Sequence, residues 1–266
     1  MTGRGHTRRV PSVSLSPVLE ALRGNPEERP VVDLSAAAGL RARLEAVARS
    51  APRTAPPWRV SAGSLRGHAL ATAPVGATLR GLLVASALRL LAVGARPQSP
   101  GALFAAWRAS EGDTPLALAS DQLGADERAR LESDVAAHVA TLRARVGRVP
   151  AAWAPRTAVR AHQRLAGGGV VLSDVVDLMV GTTLGPSAAV SLLDVTTAPL
   201  GEDDERVARY HALIQTLRTA TVPLRSAVLS TATGELWCLE VDATTLERAV
   251  DDLVAILEAP TLGRAA

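Results

Sequence analysis

The chain has 266 residues, 47% of them apolar and only 2% aromatic, with a formal charge of +3. That apolar share excludes a disordered chain and supports a sizeable core packed from alanine, leucine and valine, a composition that favours helices over β-sandwiches. Every strong cation is arginine and none is lysine, which lifts the sequence pI to about 10.2. Arginine binds phosphate bidentately, but GC-rich coding produces the same usage, and the net charge by itself argues only weakly for nucleic acid.

Residues 1–9 are basic, yet prolines, serines and charged residues follow in place of the apolar run of a secretory signal. Cys238 is the sole cysteine, which excludes an internal disulfide and a thiolate metal cluster and fits a reducing cytoplasm. Residues 1–74 read as a flexible or partly helical segment. Within it Leu40, Leu44 and Val47 alternate with Arg41, Arg43, Glu45 and Arg49 in an amphipathic repeat that Ser35 could cap. Three prolines between residues 51 and 57 break that pattern, so 51–74 reads as a linker or irregular packing segment.

Residues 75–149 read as a helical region packing on a core that follows. Leu79, Leu82, Leu83, Leu90 and Leu91 form one strongly apolar helix, which a Gly and two Pro residues over 94–100 end. Its most apolar part, 82–93, is interrupted by Arg89 and falls short of the ~20 residues of a membrane span, so it predicts a buried helix and no membrane association. Residues 102–109 and 126–145 give two more helices, the second with Leu131, Val135, His138, Val139 and Leu142 on one face.

From residue 156 the period changes to two. Arg156, Ala158, Arg160, His162 and Arg164 alternate with Thr157, Val159, Ala161, Gln163 and Leu165, which predicts a strand. The row of arginines could meet a phosphate backbone or face water. Gly167–Gly169 turn the chain into a second strand, 170–180, a turn over 182–187 leads to a third, 190–196, and a helix follows over 202–217. The acidic start of that helix, 202–205, suits the positive end of its dipole. Two further strands, 225–230 and 236–241, and a helix over 244–257 complete the order. The fold class is α/β of the α+β kind: a helical N-terminal region, then a mixed β-sheet core flanked by helices over 150–260.

Asp177 and Asp194 each close an apolar run, seventeen residues apart, on the second and third predicted strands. Asp174, three residues before Asp177, reads as an exposed face residue and not as a ligand, and His162 and His211 each stand alone in sequence. The glycine run lacks a phosphate-loop context and is a turn, and Ser173, Ser191 and Ser226 lack a nucleophile elbow, so a serine hydrolase is unsupported.

The hairpin AGGGVVLSDVVDLMVG, the strand VSLLDVTT, the helix ARYHALIQTLR and the paired strands LRSAVLSTATGELWCLEV together resemble a PD-(D/E)XK nuclease domain of the RecB-like kind. The resemblance covers residues 150–257 and implies a restriction-endonuclease-like core that hydrolyses DNA phosphodiesters with Mg2+, with a helicase or other DNA-repair protein as a partner. It implies Asp177 and Asp194 as the metal carboxylates and the Val195 carbonyl as a further ligand. Hard oxygen donors of that kind suit such an ion.

The family's lysine position falls on Thr196, so the resemblance implies a catalytic set of Asp177, Asp194 and Thr196 whose water activation is impaired. With no lysine anywhere to substitute, Arg156, Arg160, Arg206 or Arg209 could supply charge but not a base. The family's supporting histidine has no match in the early helix; His68 and His138 lie on either side of it. Tyr210 and His211 stand near the family's substrate-facing tyrosine. The alternative is a catalytically inactive member, a pseudoenzyme serving as a DNA-binding or protein-interaction module.

Overall fold

The computed structural model describes residues 15–23, 34–50, 57–66, 74–182 and 189–258. Helices α1 (Pro17–Arg23) and α2 (Leu34–Ser50) come first, then a short strand β1 (Trp58–Val60) and helix α3 (Ala62–Leu65). Helix α2 begins at Leu34, so Ser35 falls inside its first turn and does not cap it. The expectation of a linker over 51–74 is corrected where residues are described. Trp58–Val60 enters the main sheet, because Val60 is an apolar residue that the sheet buries completely; residues 51–56 and 67–73 lie outside the described residues.

Four helices follow: α4 (Val75–Ala92), α5 (Pro100–Glu111), α6 (Pro115–Asp121) and α7 (Ala125–Arg145). Pro100 begins α5, whose first turn is capped by the Ser99 hydroxyl accepting the Ala102 N–H. The same hydroxyl-then-Pro device, Thr114 with Pro115, starts α6, a helix not among those expected from the sequence. Helix α4, 18 residues with a mean hydropathy of 1.5, is long and apolar enough by composition to cross a membrane. Here its Leu79, Leu83, Val84, Leu88 and Leu91 are buried against α5, α7 and the sheet.

The sheet holds β1 together with β2 (Arg156–Leu165), β3 (Val170–Thr182), β4 (Ala189–Thr196), β5 (Arg225–Ser230) and β6 (Leu236–Glu240). Helix α8 (Glu202–Thr219) crosses over between parallel β4 and β5, and α9 (Ala243–Glu258) ends the described chain. The order is β1-β3-β4-β5-β6 with β2 on β3, a mixed sheet flanked by helices on both faces. One core joins α1, α4, α5 and α7 to Leu178, Val180, Leu193, Ala227 and Leu229. The other joins α2, α8 and α9 to Leu165, Val170 and Leu172.

Two features of β3 position the site. First, β2 accompanies β3 from Val170 to Met179 on one edge, so β1 and β4 must share the other. β1 occupies that edge as far as Leu172 and β4 takes it up at Leu178, which leaves Ser173–Asp177 open between them. Second, β3 changes its inward parity. Leu172 and Asp174 face α8, yet Leu178 and Val180 belong to the opposite core, and Val176 and Met179 share one small cluster despite their odd spacing. The switch falls at Asp177, whose partner Ala158 has a φ of +49°, and the β2–β3 pairing skips these two residues while keeping the same register on either side.

Candidate functional site

The site lies in the gap on the β3 edge. Continuing the β3–β4 register one step beyond Leu178↔Leu193 sets Asp177 opposite Asp194, so the two carboxylates expected to act together do meet. The Val195 N–H donates to Asp177 Oδ2 at 2.9 Å, taking the place of a ladder hydrogen bond there. Val195 thus presents its amide to Asp177 in addition to the carbonyl the resemblance assigns it.

Because β3 switches parity between Val176 and Asp177, Asp174 also faces α8. The expectation that Asp174 is exposed is therefore corrected: it is 5% exposed and both of its oxygens lie within 2.9 Å of His211 Nδ1. His211 is not a solitary histidine either. It is 1% exposed, and its Nε2 faces Asp194 Oδ2 at 3.8 Å, an ion-pair distance longer than a hydrogen bond. That Nε2 is buried with no hydrogen-bond partner among the described residues.

A second cation enters from a segment that carried no signal. Arg66, just after α3, places Nη2 3.1 Å from Asp194 Oδ2 and 2.9 Å from Asp204 Oδ1, with Nε 3.1 Å from the same Asp204 oxygen. Asp204 belongs to the acidic start of α8, and its other oxygen accepts the Gly201 N–H at 3.0 Å in a cap. The arginines suggested from sequence go elsewhere. Arg209 pairs with Glu205 and Asp252, Arg206 with Asp203, Arg156 donates to the Gly181 carbonyl, and Arg160 is exposed on the outer face.

These contacts decide the protonation states. Burial, and then the charge of Asp194, push the Asp177 carboxyl up to about 8. Burial also works against ionised Asp194, but the imidazolium of His211 and then Arg66 outweigh it and hold that carboxyl below its usual range. Burial opposes the charge of His211 as well, yet Asp174 and then Asp194 raise its pKa to about 10. At neutral pH the site therefore holds a protonated Asp177 beside an ionised Asp194, with Arg66 and imidazolium His211 as its cations. Two like carboxylates this close keep one proton between them.

Tyr210 closes the gap from α8. Its hydroxyl lies 3.0 Å from the Val60 carbonyl and 2.8 Å from the Ser173 carbonyl, one proton serving two acceptors at the point where β1 and β4 leave β3 unpaired. Thr196 stands at the end of β4. Its Oγ1 accepts the Ala198 N–H at 3.2 Å, and its carbonyl accepts both the N–H and the hydroxyl of Thr231 at 2.9 Å. Since the Thr231 hydroxyl gives its proton to Thr196, His138 Nδ1, 2.9 Å away, is the donor to Thr231. His138 thus steadies the strand end and makes no bond to either carboxylate; His68 lies outside the described residues.

A magnesium ion needs a near-octahedral set of oxygens, dominated by ionised carboxylates. Here Asp194 Oδ2 is shared with a guanidinium and faced by an imidazolium, while Asp177 keeps a proton and accepts an amide. As arranged, with Arg66 and His211 beside Asp194 and the Val195 amide on Asp177, the residues do not fit that ion. No family model matches the chain, and no curated protein matches it. Among solved structures, one described as "Crystal structure of SSO0001" aligns over 83% of this chain and 85% of its own at 11% identity, with a TM-score of 0.31, a likeness that carries no argument about function.

Proposed function

We propose that this chain is a relative of the PD-(D/E)XK nucleases that holds DNA without hydrolysing it. The observation that supports this reading is the pair of cations on Asp194: Arg66 at 3.1 Å and His211 at 3.8 Å satisfy the carboxylate that a catalytic metal would need. With Thr196 in the lysine position, no group beside the carboxylates can deprotonate a water, because guanidinium and imidazolium are both already protonated. A cytoplasmic setting, in keeping with the single cysteine, goes with this reading.

The test joins binding to cleavage. The unaltered chain is incubated with Mg2+ or Mn2+ and linear single-stranded, linear duplex and circular DNA, and metal uptake is followed by calorimetry. Expected are retained, uncut DNA and no saturable metal binding. Thr196→Lys alone also leaves the DNA intact, because Arg66 and His211 stay in place. Metal-dependent cleavage by the unaltered chain, abolished in Asp194→Ala, would return it to the hydrolases; failure to bind any DNA would remove the reading altogether.

A further inference from the structure

The strands that bury Asp174 on one face leave the other face uncovered along β1 and the adjoining parts of β2 and β3, residues 160–164 and 171–175. Register sets Arg160 opposite Val175, His162 opposite Ser173 and Arg164 opposite Val171, and Arg59 of β1 meets the same Val171 from the other side. Arg59, Arg160, His162 and Arg164 are exposed, and so is Val175, at 48%. They line a groove of about 740 Å3 that ends at Gly167 and Gly168. A Cβ added at either glycine would meet nothing within 4 Å, so the backbone there is open to a ligand.

The electrostatics favour an anion. Among the described residues, no carboxylate pairs with Arg59, Arg160 or Arg164, whereas Arg43, Arg108, Arg206 and Arg209 each have one. The acidic residue on the groove wall, Asp174, spends its carboxylate on His211 at the opposite face. The spacing favours an extended anion over a compact one. Residues two apart on a strand stand ~6.8 Å apart, and Arg59 and Arg164 flank Val171 at ~9.6 Å, twice the strand spacing, so the cations form rows and do not converge on a point. A row with that step matches about two nucleotides of rise along one strand, and guanidinium forks suit phosphate oxygens. Exposed Val175 and half-buried Val171 between the rows offer apolar contact to sugars.

We infer that the outer face of β1, β2 and β3, through Arg59, Arg160 and Arg164, binds the phosphodiester backbone of a nucleic acid. The inference rests on the DNA-holding reading and locates its contact surface away from Asp177 and Asp194. The experiment measures fluorescence anisotropy of short single-stranded and duplex oligonucleotides over about 50 to 200 mM salt. The triple variant Arg59→Ala, Arg160→Ala, Arg164→Ala is compared with a charge-matched one, Arg96→Ala, Arg130→Ala, Arg143→Ala, whose residues are exposed elsewhere. Circular dichroism checks the fold, and the corresponding Arg→Gln triple is read if the alanine triple unfolds.

Expected is a loss of at least about tenfold in affinity for the groove triple only, with the slope of log affinity against log salt reduced by about 2 to 3. The oligonucleotide form with the larger loss is the one the groove takes. Equal affinities for the two triples would overturn the groove while leaving the DNA-holding reading intact. Absence of binding by the unaltered chain would end both, and preference for polyglutamate over DNA at equal charge would assign the face to an acidic protein and overturn the inference.

Discussion

The Arg66 guanidinium reaches the Asp194 carboxylate, Nη2 to Oδ2 3.1 Å, across 128 residues of sequence. It brings the segment after β1 against the centre of the sheet and joins Asp194 to Asp204 at the start of α8. A charge that a nuclease would meet with a metal is met here by a side chain, which ties the proposed loss of hydrolysis to the stability of the fold.

Removing that side chain is therefore costly. Arg66→Ala leaves Asp194 and Asp204 short of a cation in a site that is only partly open to water, and a loss of about 2–3 kcal/mol is expected in urea unfolding at neutral pH. The same variant gains measurable Mn2+ binding by calorimetry, since an inorganic cation can then fill the deficit. Unchanged stability together with unchanged metal affinity would show that the guanidinium is incidental.

Asp174 sets the charge of His211. In Asp174→Asn the imidazole loses its nearest anion while remaining buried, so its pKa falls from about 10 toward or below the ordinary histidine value. Two-dimensional NMR of the ring nitrogens reads this directly, and stability at pH 6 drops by about 3 kcal/mol. A His211 that stays protonated beyond pH 9 in the variant contradicts the assignment.

Stability falls as the solution becomes alkaline. For His211, raised to about 10, the native state holds more protons than the unfolded chain between the ordinary 6.5 and 10, so its contribution is complete below 6.5 and lost on passing through 10. Asp177, raised from 3.8 to about 8, likewise holds a proton the unfolded chain has released, and it lowers stability as pH climbs from 3.8 through 8. Both act between 6.5 and 8, where the slope approaches a two-proton limit of ~2.7 kcal/mol per pH unit. Asp194, held low, acts in the opposite sense, its contribution being lost as pH falls below 3.8. Urea midpoints measured from pH 4 to 10 check the curve, and Asp177→Asn should flatten it below pH 6.5 and halve the slope from 6.5 to 8.

Gly181 fixes the register that opposes the two aspartates. Its φ is +97°, it pairs with Val190, and an added Cβ would lie 1.9 Å from the Ala189 carbonyl oxygen. Gly181→Ala should cost about 2–4 kcal/mol. Because the β3–β4 pairing must shift to relieve the clash, the variant should also lose the high Asp177 pKa, seen by carboxyl NMR. A variant as stable as the parent would mean that the hairpin tolerates another register.

Much of the fold was legible because the relevant signals are local. The period-two alternation over 156–165 predicts β2 with the bounds found, and the apolar runs ending in aspartate predict β3 and β4. Asp177 and Asp194 could be paired from those runs because neighbouring antiparallel strands bring their ends together. That Asp174 and Asp177 share His211 is not legible locally, because a spacing of three in a strand normally separates faces, and only the switch at Asp177 and Ala158 cancels that rule. Thr-Pro at 114–115 was a readable helix start, whereas Arg66 sits in a stretch with no periodicity at all.

The helix and strand order, the lack of lysine and the two aspartates on adjacent strands are written in the chain itself, since periodicity and composition follow from neighbouring residues. What those aspartates face is set by long-range packing. The opening in β3 between β1 and β4, the parity switch and the approach of Arg66 and His211 depend on segments far apart in the chain. Charge compensation acts through space at a few ångströms, and no pattern along the sequence encodes that distance.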